Sequence, residues 1–354
     1  MITKSRALLP LVATVTLAFS DRWAGDQPTY QPKAGTTVSK RVSIVNELEL
    51  DDMSLEMDGQ DMSEIAGQIE MSMKTSTELG VTDHYEAVAG GRPTKLKRSY
   101  DEISSSTHVS GSNPQVGNQE KDIPLKSELE GSTVVFTWDD ADSAYSVAFE
   151  GDKGDEDLLE NLEENLDLRA FLPTGEVSNG DSWEIPAEAV KAALAPGGDV
   201  KLRPEGQSNP TSGMDQFSQS DLVGDLTGEF TAVYKGTRED DNGVRVAVIA
   251  LKIEAKSAQD MHDRLEEIKE QMKGTLPPGL EVDLSAFDIE YECELEGELF
   301  WNVEAGLPQN LHLSGEVRMI MDMSMDMKLG EKQQSMEMSQ NFAGTQTITF
   351  ATGD

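Results

Sequence analysis

The stretch that decides the fold is MIMDMSMDM, residues 319–327. Met319, Met321, Met323, Met325 and Met327 alternate strictly with Ile320, Asp322, Ser324 and Asp326. A period of two puts every methionine on one face of a β-strand and the polar residues on the other. No helix can sort this pattern, because a helical face repeats every three or four residues. The stretch is therefore a strand with one apolar face and one largely wet face.

The same reading extends along the chain. Val38, Val42, Ile44, Leu48 and Leu50 hold even positions, and at Asp51-Asp52 the parity flips to Met53, Leu55 and Met57, which predicts a β-bulge. Asp58-Gly59 is a hairpin signal, and Ile65, Ile69, Met71, Met73 and Leu79 carry an odd-numbered face up a returning strand. A further strand is expected near 94–103, and the Ser, Gly, Asn and Pro content of 104–120 reads as a loop. Val134–Trp138 and Tyr145–Phe149 form a second hairpin; Phe230–Tyr234 and Val244–Ile253 flank Asn242-Gly243 as a third. Phe287–Val303, Leu311–Met327 and Glu337–Phe350 complete the strands.

Two amphipathic helices are expected between them. In the first, Leu158, Leu159, Leu162 and Leu166 share a face, acidic residues 155–157 favour the N-terminal end of the dipole, and Leu172-Pro173 stops it. In the second, Ser257 caps a segment in which Met261, Leu265, Ile268 and Met272 share a face, ending before Leu276-Pro277. The fold class is mainly β (α+β): a large curved antiparallel sheet with these two helices packed on it. The order hairpin, helix, Leu-Pro occurs twice, which raises a pseudo-duplication of 37–175 and 223–354, joined by a flexible loop over 195–222.

Residues 1–20 read as a secretory signal peptide. Lys4 and Arg6 precede an apolar run, and Ala18-Phe19-Ser20 offers small residues at a cleavage site. Residues 21–36 read as a linker to a β-rich domain over 37–354. The expected location is thus periplasmic or extracellular, soluble after cleavage. The net charge of −37 argues against nucleic acid and anionic membrane surfaces as partners. The single Cys293 excludes an intramolecular disulfide and reads as a buried hydrophobe.

Catalytic signals are missing. The four histidines (84, 108, 262 and 312) show no paired metal-ligand spacing, and no nucleophile elbow, phosphate loop or dinucleotide fingerprint occurs. The expectation is a protein that is not an enzyme and holds no cofactor. What stands out is methionine: of 16, five fall between Met53 and Met73 and seven between Met319 and Met338. Three uses compete: core filling, an adaptable face for an apolar or lipid-like ligand, and a thioether Cu(I) site. The ligand-lining candidates are Met71, Met73, Met319, Met321, Met323, Met325 and Met327; the alternative function is a Met-rich periplasmic Cu(I)-binding protein.

The segment Leu172-Pro173-Thr174-Gly175-Glu176-Val177-Ser178-Asn179-Gly180-Asp181-Ser182-Trp183, together with the Met-x-Met strands, resembles uncharacterised exported bacterial proteins. That resemblance implies no activity and no site residues. The order of elements is also similar to the periplasmic lipoprotein-carrier fold, a curved sheet closed by helices, which would make a lipophilic pocket an expectation by analogy.

Overall fold

The computed structural model describes residues 27–113, 117–151, 154–204, 223–261, 265, 280–329 and 332–353. The strands are β1 (Thr37–Met57), β2 (Gln60–Asp61), β3 (Glu70–Ala89), β4 (Arg92–Asn113), β5 (Gly117–Lys126), β6 (Thr133–Asp139), β7 (Ala144–Phe149), β8 (Ser182–Glu184), β9 (Arg203–Pro204), β10 (Thr227–Glu239), β11 (Arg245–Asp260), β12 (Leu280–Asn302), β13 (Leu307–Leu329) and β14 (Lys332–Gly353). They form one 14-stranded sheet in the order β7-β6-β4-β3-β1-β14-β13-β12-β11-β10-β8, with β2, β5 and β9 paired off this path. Every described pairing is antiparallel, and β1 lies against β14, so the two ends of the strand region meet in mid-sheet.

The parity readings on β1 and β13 hold. The odd-numbered face expected from Ile65 begins only within β3, because Ser63–Ala66 form a helical turn and Ile69 precedes the strand. The bulge falls between Leu50 and Asp52, and Asp58 and Gly59 both turn with positive φ (51° and 75°). Even residues of β1 before the bulge and odd residues of β13 face inward, with Val42, Ile44, Leu311 and Leu313 at most 4% exposed. Cys293 is buried, as expected, and burial pushes its thiol above its ordinary pKa.

Three expectations need correction. First, the segment expected to be the first helix is irregular. It forms short 3-10 turns at Glu156–Leu159 and Arg169–Phe171, with Asn161 and Leu168 in left-handed conformation (φ 62° and 55°). Leu158, Leu162, Leu166, Leu168 and Phe171 are all buried. Enclosure on more than one side has overridden a helical period that assumes one wet face. Second, Ser257 caps no helix, because β11 continues to Asp260. Leu265 is helical, but 262–264 and 266–279, which hold most of the second expected helix, lie outside the described residues. The pair of helices packed on the sheet is not borne out. Among the described residues the helix of two turns is α2 (Ala187–Leu194), after a short α1 (Ser63–Ala66). Third, much of the expected loop 104–120 is strand. Its serines and threonines pair with hydroxyls of β3, Thr77 with Ser105 at 2.9 Å, Thr75 with Thr107 at 3.2 Å and Ser72 with Ser110 at 2.8 Å. A ladder of such pairs stabilises a sheet whose composition looks like a loop. The signal peptide and the 205–222 part of the joining loop lie outside the described residues.

Residues 154–204 cross the inner face of the sheet. Leu162, Leu166, Phe171, Val190 and Leu194 join one core with Val42, Leu79, Ile348 and Phe350. Trp183, just after the turn at Asn179-Gly180, donates its indole N–H to the Phe171 carbonyl at 3.0 Å. Residues 27–36 lie along this body: the Trp301 indole donates to Thr29 O and Gln31 N–H to Gly306 O.

Three glycines fall on a diagonal of the sheet. Gly297 pairs with Leu313, Leu295 with Gly315, and Val317 with Gly344. A Cβ at Gly297, Gly315 or Gly344 would stand 1.8 to 1.9 Å from a carbonyl oxygen of the next strand. Such close backbone approach is open only to glycine.

Candidate methionine face

Below the crossing segment the inner face continues down β12, β13, β14 and β1 as three cross-strand rows. Ile289, Met321, Gln340 and Met53 form the first row; Phe287, Met323, Met338 and Leu55 the second; Leu284, Met325, Met336 and Met57 the third. Directly opposed residues have Cβ atoms about 5 Å apart, so each row is in side-chain contact range. The turn beyond the last row is pinned: Asp58 N–H donates to Ser335 O at 3.0 Å, and Ser335 N–H donates to the Asp58 carboxylate at 2.9 Å.

The candidate residues all share this inner face, but in two environments. Met319 and Met321 are buried, 7% and 5% exposed, opposite Tyr291 and Ile289. They belong to the core. Met323, Met325 and Met327 are half-buried, as are Met53, Leu55, Met57, Met336 and Met338. Met71 and Met73, also half-buried, sit on β3 beyond β1, with Met73 opposite Leu48. Sequence reading placed Met336 and Met338 at strand spacing; their register against Met325 and Met323 needed the structure.

The cavity between the crossing segment and the sheet, lined by Val42, Leu166, Phe171, Ala193, Ile348 and Phe350, holds about 10 Å³. That is room for a single water and none for an acyl chain.

A second group was missed from sequence. Asp83 and Arg98 are fully buried and Lys40 is 3% exposed. The Asp83 carboxylate accepts from Arg98 Nε at 2.7 Å, Arg98 Nη2 at 2.9 Å and Lys40 Nζ at 2.7 Å. Burial alone would raise the Asp83 pKa; Arg98 and Lys40 outweigh it and hold it at about 2. Arg98 also donates to the carbonyls of Glu163 and Glu164, both at 2.9 Å, and so ties the crossing segment to the sheet. Arg169 pairs with Glu164 and with Asp167, the latter at 3.0 Å, while its guanidinium lies 5.1 Å from the centre of the Tyr30 ring. Burial and the Asp167 charge push the Glu164 carboxyl up against the pull of Arg169. The signal was available: Lys40, Asp83 and Arg98 occupy core-parity positions among Val38, Val42, Val81, Tyr85, Leu96 and Tyr100. Three cations and three anions balance, and Arg98 joins the sheet to the crossing segment; the group acts as a latch.

Among the described residues, no three His, Cys, Asp or Glu side chains are arranged to hold a metal ion, and no helix is long and apolar enough to cross a membrane.

No known protein family matches the sequence, and no curated protein matches it. Among solved structures, the chain is similar to the transport unit of the autotransporter AIDA-I from Escherichia coli, at 10% identity over 90% of this chain and 91% of that one, with a TM-score of 0.21. So low a score carries neither fold nor function.

Proposed function

We propose that this is a non-enzymatic exported protein that binds an apolar or lipid-like ligand on its methionine face. The observation that carries the reading is a change of residue type along single strands. On β13 the inner positions Leu311, Leu313, Val317, Met319 and Met321 are buried and Met323 and Met325 half-buried; on β14 Ile348 and Phe350 are buried and Met336 and Met338 half-buried. The half-buried end of the face is thus built of flexible, polarizable methionines, as suits a surface that must fit variable guests. An open apolar area on a chain of charge −37 needs a reason to persist.

The test is native mass spectrometry of the protein purified gently from the compartment where it accumulates, and again after acyl lipid is offered. A reproducible adduct of lipid mass is expected, lost on replacing Met323 and Met338 together by Asp, with the melting temperature little changed. A clean apo mass in both samples would overturn the reading and favour an interaction module of the cell envelope.

A further inference from the structure

We propose, independently of the apolar-ligand reading, that Met57, Met336 and Met325 form a thioether site for a soft monovalent cation, Cu(I). The three stand directly opposite one another on adjacent strands, Met57 against Met336 and Met336 against Met325. Met338 and Met323 are an opposed pair in the row above. Five methionines thus occupy two adjacent rows of one face. Opposed Cβ atoms lie about 5 Å apart, and each methionine has three side-chain torsions with which to turn its sulfur toward a common point. The Asp58–Ser335 bonds beyond Met57 and Met336 hold that register.

Residue choice supports a ligand role. Methionine is no strand former, and β-branched residues would fit the pleat better if packing alone were needed. Thioethers are the only donors these rows offer, and they select Cu(I) over the hard divalent ions. All five are half-buried rather than enclosed, with Met323 and Met325 packed against the core, while the charge of −37 concentrates cations around the protein. Cys293, the other soft donor, is only 2% exposed with its thiol pKa raised by burial, so it is held neutral and out of reach.

The experiment is anaerobic titration of the full chain with Cu(I) in competition with bicinchoninate, followed by X-ray absorption of the loaded protein. The protein should withdraw a single equivalent, with sulfur alone in the first shell. Replacing Met57, Met325 and Met336 together by Leu should abolish the uptake, and Met336→Leu alone should weaken it. Replacing the buried Met319 and Met321 by Leu should leave it intact. Leucine keeps the face apolar and nearly conserves volume, so the triple variant should melt normally. Wild-type protein that leaves Cu(I) with the competitor would overturn the site. So would uptake that survives in the triple variant, or uptake that disappears with Cys293→Ser.

Discussion

Arg98 grips Asp83 through two parallel hydrogen bonds of 2.7 and 2.9 Å, with both side chains wholly out of solvent. The fork also holds two carbonyls of the crossing segment, so one side chain joins the sheet to the element that fills it. Removing one partner of such a pair leaves an uncompensated buried charge. Arg98→Met should therefore cost about 3–5 kcal/mol in chemical denaturation. Arg98→Lys keeps the charge but loses the fork, and it should fall between the variant and the wild type. Equal stability of all three would show that the latch carries nothing.

The same pair sets an acid limb. Asp83 is held at about 2, below its ordinary 3.8, so its contribution is complete above the higher value and is lost as pH falls through the lower one. Its size is about 2 kcal/mol. Glu164 acts in the opposite sense. Its raised pKa costs stability at neutral pH, and that cost is relieved as pH falls through the folded value toward the ordinary 4.5. The denaturation midpoint plotted against pH should rise on mild acidification and then fall steeply below pH 4. Glu164→Gln should shrink the rise, to which the neighbouring Glu163, also pushed up by burial, contributes, and leave the fall.

Much of this was legible because strand parity survives even in long strands: the bulge at Asp51-Asp52, both turn signals and the common face of the methionines needed only a period of two. The first helix was not legible, because Leu158 to Leu166 mimic a helical stripe while the segment is packed on more than one side, which no periodicity records. The Ser-rich half of β4 was hidden because hydroxyls that bond across strands are the same residues that mark loops. The latch was visible as charge at core parity. Which strands bring Met57, Met336 and Met325 together depended on β1 pairing with β14, a contact between the ends of the strand region that no local pattern encodes.

The outer face carries a row of like charges. Glu229, Glu254, Glu294 and Glu316 stand directly opposite one another across β10, β11, β12 and β13. Lys252 pairs with Glu254 at 2.6 Å, which relieves the row in part. Opposed like charges destabilise a sheet, so Glu294→Lys, flanked by two glutamates, should stabilise by about 0.5 kcal/mol. Because exposed charges are screened, the gain should shrink as salt is raised toward 1 M. A gain indifferent to salt would point to β-propensity instead of charge.

The close approach can be tested at Gly315. A Cβ there would lie 1.9 Å from the Glu294 carbonyl oxygen and 3.0 Å from the Leu295 Cα, both backbone atoms of the paired strand β12. Neither can swing aside as a side-chain tip would, so Gly315→Ala must push β12 and β13 apart in the middle of the core. The expected loss is about 3 kcal/mol, at the upper end for overpacking. Gly111 supplies the control, since a Cβ there meets the Glu70 carbonyl at an ordinary 3.5 Å. Gly111→Ala should be nearly neutral in the same urea titration. If both alanines prove equally mild, the two strands have freedom to separate at Gly315, and the close approach is not what holds their spacing.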